Sequence, residues 1–220
     1  MRMFVAVVPP EEVVEHLEEF LAPRREAGAF RWTVPDQWHL TLAFSANVPD
    51  RSYDDLVARL TRAAAKRRPM EARIAGGGAF PNVGRAKVLF AGIETGIETG
   101  IGTGSQTGSQ TGSDTDDEEL RRAATGAKAA LAKAGAEVDG QRFLAHLTLA
   151  RIGRPVEATN WVRLLEGYAG PSWRIEELAL VASHLGEGPR RRPRHEVVET
   201  FTLGRAGSDP APPAAPPRGR

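Results

Sequence analysis

Two of the chain's five histidines open the same tetrapeptide: His-Leu-Thr-Leu stands at 39–42 and again at 146–149. In an alternating strand, an imidazole and a hydroxyl two residues apart share a face. Leu40, Leu42 and Phe44 are expected on one side of the first strand, with His39 and Thr41 on the other. In the second strand Phe143, Ala145, Leu147 and Leu149 are expected to face the core, with His146 and Thr148 opposite. A duplication that merely preserved two core strands explains the repeated Leu-x-Leu. It does not explain a repeated His-x-Thr on the polar face. Two histidines are too few ligands for a metal, and no carboxylate or third histidine follows at ligand spacing. No Gly-x-Ser-x-Gly elbow offers a serine nucleophile. Two imidazoles and two hydroxyls suit phosphoryl chemistry that needs no metal and no cofactor. One imidazole takes a proton, the other gives one, and the hydroxyls hold the phosphate oxygens.

The rest of the composition narrows the setting. Lys and Arg number 29 against 28 Asp and Glu, a net charge of +1, which argues against a nucleic-acid coat or a polybasic membrane anchor. The absence of cysteine rules out disulfides, thiolate zinc sites, iron–sulfur clusters and cysteine nucleophiles, and suits a reducing cytosol. The longest early apolar run, residues 3–8, is stopped by Pro9-Pro10-Glu11-Glu12, too soon for a membrane span or a signal-peptide core. A cytoplasmic protein without membrane partners is expected.

The elements that must position the two motifs alternate without a steady βα rhythm, so an α+β class is expected. Strands are expected at 3–8, 38–44, 71–74, 86–93, 143–152, 173–183 and 195–203, and helices at 11–21, 53–65, 118–134 and 156–166. The strands at 71–74 and 86–93 flank what reads as a Gly-rich bend. Residues 93–116 form six tetrads, five ending in Thr-Gly, which reads as a disordered insert because its three isoleucines are too few to offset the entropy of ordering. The insert has no lysine to complete a phosphate loop. A Pro- and Ala-rich tail at 205–220 is also expected to be disordered, leaving 1–204 as one functional unit. Phe44, Phe80 and Trp38 are expected in the core, while His16, His184 and His195 are left outside the site. The basic run Arg190-Arg191-Arg192-Pro193-Arg194 reads as a solvated hairpin tip, with a contact to a phosphate backbone as the alternative.

The doubled motif, with Arg31-Trp32 and Pro35 ahead of His39, Gly78-Ala79-Phe80-Pro81, residues 87–92, and Phe143 through Arg151, resembles the 2H phosphoesterases. Within them it is most similar to the RNA 2′,3′-cyclic phosphodiesterases, historically called 2′-5′ RNA ligases. The resemblance implies a bilobal α+β fold, with two antiparallel sheets related by a pseudo-twofold axis around a central cleft. The chain departs from the usual pattern in three places: Ala43-Phe44-Ser45-Ala46 follows the first motif, Ala145 precedes the second histidine, and His195 stands where a tyrosine is common.

By the same resemblance, His39 is the proton donor to the leaving 3′ oxygen and His146 the proton acceptor from water. Thr41, Thr148 and Arg151 would hold the phosphate. By simple alternation Arg151 falls on the face opposite His146 unless the strand bulges. The expected partner is RNA with a 2′,3′-cyclic phosphate end, or a cyclic nucleotide, acted on by a monomer and opened to a 2′-phosphate. Ligation as the reverse reaction and a non-catalytic RNA-end-binding module are the alternatives.

Overall fold

The computed structural model describes residues 1–28, 30–96, 111–140, 142–188 and 192–204. The central tetrads of the repeat, residues 97–110, and the tail at 205–220 lie outside the described residues. Nine strands and four α-helices are described: β1 (Met3–Val7), α1 (Glu11–Leu21), β2 (Arg31–Trp32), β3 (Leu40–Ser45), α2 (Tyr53–Ala65), β4 (Met70–Phe80), β5 (Ala86–Thr95), α3 (Thr111–Lys133), β6 (His146–Val156), α4 (Thr159–Glu166), β7 (Ala169–Ile175), β8 (Glu177–His184) and β9 (Arg194–Thr202).

Local chemistry explains the helices. Pro9-Pro10 cannot continue β1 as a paired strand, and Pro10, in extended conformation, hands the chain into α1. Glu11 and Glu12 sit in the first turn, where the helix dipole favours acids. Val13, Leu17 and Leu21 then repeat every four residues and are fully buried. In α2 the same spacing buries Leu56, Leu60 and Ala64. Deleting a side chain of Leu17's size from such a site costs about 2–5 kcal/mol.

All strand pairings are antiparallel, and the sheet runs β7-β4-β5-β6-β3-β1-β8-β9, with β2 beside β6. This order divides into two halves of four, β7-β4-β5-β6 and β3-β1-β8-β9. Among the described residues, the strand pairing that joins them is Leu40 with Leu147. Both leucines directly follow a motif histidine and are buried, so the seam puts the two tetrapeptides side by side in opposite directions. Beyond the seam β3 departs and β2 takes its place beside β6, pairing Arg31 with Arg151 and Trp32 with Ala150.

Several expected boundaries move. The Gly-rich stretch is no bend: β4 runs unbroken from Met70 to Phe80 and absorbs Gly76, at φ +63°, in a register shift between Ile74 and Gly77. A Cβ at Gly77 would lie 2.6 Å from the Phe90 carbonyl oxygen, so these glycines allow β4 and β5 to approach closely. The strand expected at 173–183 is two, interrupted at Glu176, and its pieces serve opposite halves: β7 pairs with β4 and β8 with β1. The ends of the tetrad repeat are regular structure. Ile93 pairs with Ile74 in β5, and Asp116 in α3 is nearly buried and bridges Arg68 at 2.5 Å.

Candidate active site

The seam fixes the site. Thr41 and Thr148 are half-buried on one face of the joined sheet, while Leu40, Leu42, Leu147 and Leu149 are buried in the core. His39 immediately precedes β3, and His146 opens β6. Each imidazole is held in the same way: Nδ1 of His39 lies 2.8 Å from the carbonyl oxygen of Gln37, and Nδ1 of His146 lies 2.8 Å from that of Leu144. A carbonyl oxygen only accepts, so Nδ1 carries the hydrogen in both rings and donates it. Nε2 of each neutral ring is left with its lone pair, free to take a proton.

A bulge in each motif strand decides which side chain comes next on the histidine face. On β3, Thr41 pairs with Ala6 and Ala43 with Val5, so Leu42 is the extra residue. On β6, Thr148 pairs with Phe90 and Ala150 with Leu89, so Leu149 is the extra residue. Leu42 and Ala43, like Leu149 and Ala150, are therefore both buried, and the residue after them returns to the histidine face. The residue returned is Phe44 in one half and Arg151 in the other. The bulge thus places exposed Arg151 beside His146 and Thr148, where simple alternation would have opposed them. It also corrects Phe44, which packs with Phe4, Ala6, Ala179 and Val181 and not with Leu40 and Leu42.

The rings around the two histidines differ. His39 stacks on Phe4 at 4.6 Å between centroids, and His195 of β9 meets both edge-on, at 5.0 Å from Phe4 and 5.3 Å from His39. His146 stands edge-on to Phe80 and Phe90, at 5.1 and 5.3 Å. Phe80 and Phe90 stack on each other at 4.6 Å, and Gly78 makes room for them: a Cβ there would lie 2.5 Å from the Phe90 ring.

Burial pushes the His39 pKa down to about 4, with the nearby His195, His146 and Arg151 adding to the effect and the bond to Gln37 opposing it. His146 is lowered by a smaller margin, again chiefly by burial and then by Arg151, while the bond to Leu144 opposes. His195 is lowered by burial and by Arg2.

All five residues singled out in the sequence therefore share one surface: His39, Thr41, His146, Thr148 and Arg151. Sequence reasoning missed His195, which reaches His39 through the β8–β9 hairpin. The visible signal was its position where the resembling family often has tyrosine. Phe80, assigned to the core, is half-buried against His146, whereas Trp38 is buried as expected. In the basic run, Arg194 is engaged by Glu187 at 3.1 Å and Glu196 at 2.9 Å, while Arg192 donates to the Trp32 carbonyl at 2.7 Å. Arg190 and Arg191 lie outside the described residues. Among the described residues, no cluster of three or more His, Cys, Asp or Glu is arranged to hold a metal ion, and no helix is long and apolar enough to cross a membrane.

Comparison with known proteins gives a consistent set of matches. The family model described as LigT like Phosphoesterase matches residues 7–90 and 113–190. The chain is 32% identical over 209 residues to an RNA 2′,3′-cyclic phosphodiesterase of Thermus thermophilus, covering 92% of this chain and 90% of the relative. Among solved structures it is similar to TT0787 of Thermus thermophilus, with TM-score 0.69 and 30% identity over 94% of this chain and 100% of the other. It also shares the fold of Escherichia coli LigT complexed with 3′-AMP, with TM-score 0.65 and 21% identity over 93% and 98% of the two chains.

Proposed function

The chain belongs to the LigT-like phosphoesterases, and from that premise we propose that it hydrolyses 2′,3′-cyclic phosphate ends of RNA, or of nucleosides, to 2′-phosphates. The observation that carries this reading is the matched pair of imidazoles. Each has Nδ1 tied to the carbonyl oxygen two residues earlier and Nε2 free, and the two flank a single seam.

The cyclic phosphate is a diester anion. Water attacks phosphorus as His146 Nε2 takes one of its protons. The bond from phosphorus to the 3′ oxygen breaks as protonated His39 gives its Nε2 proton to that oxygen. The products are a 2′-phosphate and a free 3′ hydroxyl. His146 then releases a proton and His39 regains one, through solvent. Thr41 and Thr148 donate to the non-bridging oxygens, where negative charge grows, and Arg151 offsets that charge.

The unequal environments support this division of labour. A histidine depressed to about 4 is the stronger acid once protonated, and His146, depressed less, is the stronger base. The cost is that His39 is mostly neutral in the empty cleft at pH 7. A bound phosphate anion favours its protonated form and offsets that cost.

The test is incubation with each nucleoside 2′,3′-cyclic phosphate, before and after exhaustive EDTA treatment, with 2′- and 3′-phosphate products resolved. Metal-independent formation of the 2′-phosphate is expected. Formation of the 3′-phosphate would reverse the assigned leaving group. Activity lost to EDTA and restored by zinc or manganese would overturn the two-histidine mechanism.

A further inference from the structure

A small cavity of about 90 Å³ is lined by Arg31, Trp32, Thr33, Gln37, Arg151, Arg192 and Pro193. Three guanidinium groups thus border a space with no carboxylate in its lining. Arg31 and Arg151 are directly opposed across β2 and β6, an arrangement of like charges that destabilises a sheet when nothing sits between them. Among the described residues none of the three arginines makes an ion pair, although neighbouring Arg194 is held by two glutamates. Arg192 is fixed in place by its bond to the Trp32 carbonyl, and the Gln37 side chain donates to the Pro193 carbonyl at 2.7 Å. These two bonds tie the β8–β9 hairpin to the segment around β2 and give the cavity a wall from each half of the sheet. Gln37 also ties the cavity to the site, because its own carbonyl oxygen accepts from His39. Arg151 is common to the cavity and to the field felt by both histidines.

We propose that this cavity is a second anion subsite, holding the phosphate attached to the 5′ oxygen of the nucleoside whose cyclic phosphate lies between His39 and His146. The inference rests on the hydrolase reading above and deepens it. A cavity with three unpaired guanidinium groups and no acid takes an anion, and guanidinium forks match phosphate oxygens. A strand engaged at its cyclic end carries its next phosphate one nucleoside away, on the 5′ side. Arg31 and Arg192 then act on specificity: they favour a strand end, or a 5′-phosphorylated nucleotide, over a bare nucleoside cyclic phosphate. An anion bound there also offsets the repulsion between Arg31 and Arg151.

The test has a binding arm and a turnover arm. In the first, calorimetry compares uridine 2′,5′-bisphosphate with uridine 2′-monophosphate. About tenfold tighter binding of the bisphosphate is expected in the wild type, falling toward equality in Arg31→Met and in Arg192→Met. Arg192→Met also removes the bond to Trp32, so Arg31→Met, at an exposed position, is the cleaner variant. In the second arm kcat/KM is compared for uridine 2′,3′-cyclic phosphate, its 5′-phosphorylated form and a dinucleotide with the same cyclic end. Preference for both of the latter supports the subsite, whereas preference for the dinucleotide alone would place the contact on the added nucleoside and overturn it. Equal affinities in the wild type, or a preference retained in both variants, would overturn the subsite. An affinity contrast without turnover of any substrate supports the subsite and instead sinks the hydrolase reading.

Discussion

The unit β1–α1–β2–β3 and the unit β5–α3–β6 are built to one plan and finished differently. In each, a strand leads to a helix, and the chain returns to a motif strand antiparallel to the first. In each, the histidine Nδ1 donates to the carbonyl two residues earlier, and a bulge follows the threonine by one residue. Even the segment eight residues ahead of each histidine is used alike: Arg31 pairs with Arg151, and Val138 bridges Ser45. The chemistry of the matching positions is not alike. Arg151 corresponds to Phe44, which lies under the Arg2 guanidinium at 4.5 Å, and Arg31 corresponds to Val138. His39 stacks on Phe4 and meets His195 edge-on, whereas His146 makes only edge-on contacts, with Phe80 and Phe90. The repeated parts aim the imidazoles, and the unrepeated parts separate their proton affinities and put the positive charge at one end of the cleft.

The severest way to break this comparison is to remove one imidazole at a time. His39→Ala and His146→Ala are each expected to lower kcat by at least ~100-fold, since each removes one proton transfer. Circular dichroism should show the fold intact. If either variant turned over a cyclic nucleotide at near the wild-type rate, the halves would not share the chemistry, and the two-histidine mechanism would be wrong.

Exchanging the residues that differ at one structural position is next in size. Arg151→Met is expected to lower kcat/KM by about tenfold or more, the worth of a charge-assisted contact to phosphate. Phe44→Leu, at the matching position, should change it less than threefold, because Phe44 offers packing and no charge. Comparable losses in the two variants would mean that the bulge, and not the guanidinium, is what matters at this position.

The contrast between halves was only partly visible in the sequence. The His-x-Thr pair, its face and the α+β class were legible, because period-two alternation and a repeated rare residue are local properties. The side of the strand on which Arg151 lies was not, because a bulge is set by the register of the partner strand: Leu149 is extra only in relation to Leu89 and Phe90. His195 was missed for a similar reason, since only the β8–β9 pairing of Ser183 with His195 carries it to Phe4. The Gly-rich part of β4 reads as a bend when taken alone, yet the close approach of Phe90 makes glycine the residue a continuous strand needs there.

The difference in proton affinity can be sharpened by pH. Both histidines are held below their ordinary value of 6.5, so both are neutral in the free protein at pH 7. The productive form has His39 protonated and His146 neutral. The kcat/KM profile is therefore expected to rise as pH falls from 7, peak below 6.5, and fall again as pH drops below about 4. In kcat both limbs should lie higher, since a bound anion favours the protonated rings. Charge on His195 lowers His39, so His195→Asn should move the acid limb upward by a fraction of a pH unit, with little effect on the other. An optimum above pH 7, or an acid limb unmoved in the variant, would show that the surroundings of His39 do not set its role.

The smallest effect is expected where the two units differ most in length. In the first, β1 reaches α1 through Val8-Pro9-Pro10; in the second, residues 97–110 lie between β5 and α3. The first unit thus shows that the connection can be short. The flanks in the second cannot be cut freely: Glu94 bridges Arg73 at 2.7 Å, Ile93 packs against the core, and Asp116 and Glu119 of α3 accept from the backbone of Glu71 and Arg68. Residues 97–110 contribute only Ile97 and Ile101 as bulky apolar side chains, and the closure entropy of a loop grows slowly with its length. Replacing 97–110 with a short Gly-Ser linker is therefore expected to leave kcat/KM within twofold and to shift Tm by less than about 3 °C, equivalent to less than ~1 kcal/mol in a domain of this size. Removing 94–115 instead should lower Tm by more, because it takes away the Arg73–Glu94 ion pair and the start of α3. Loss of activity in the shorter deletion would mean that the tetrads take part in the site, and the likeness between the two units would then end at β5.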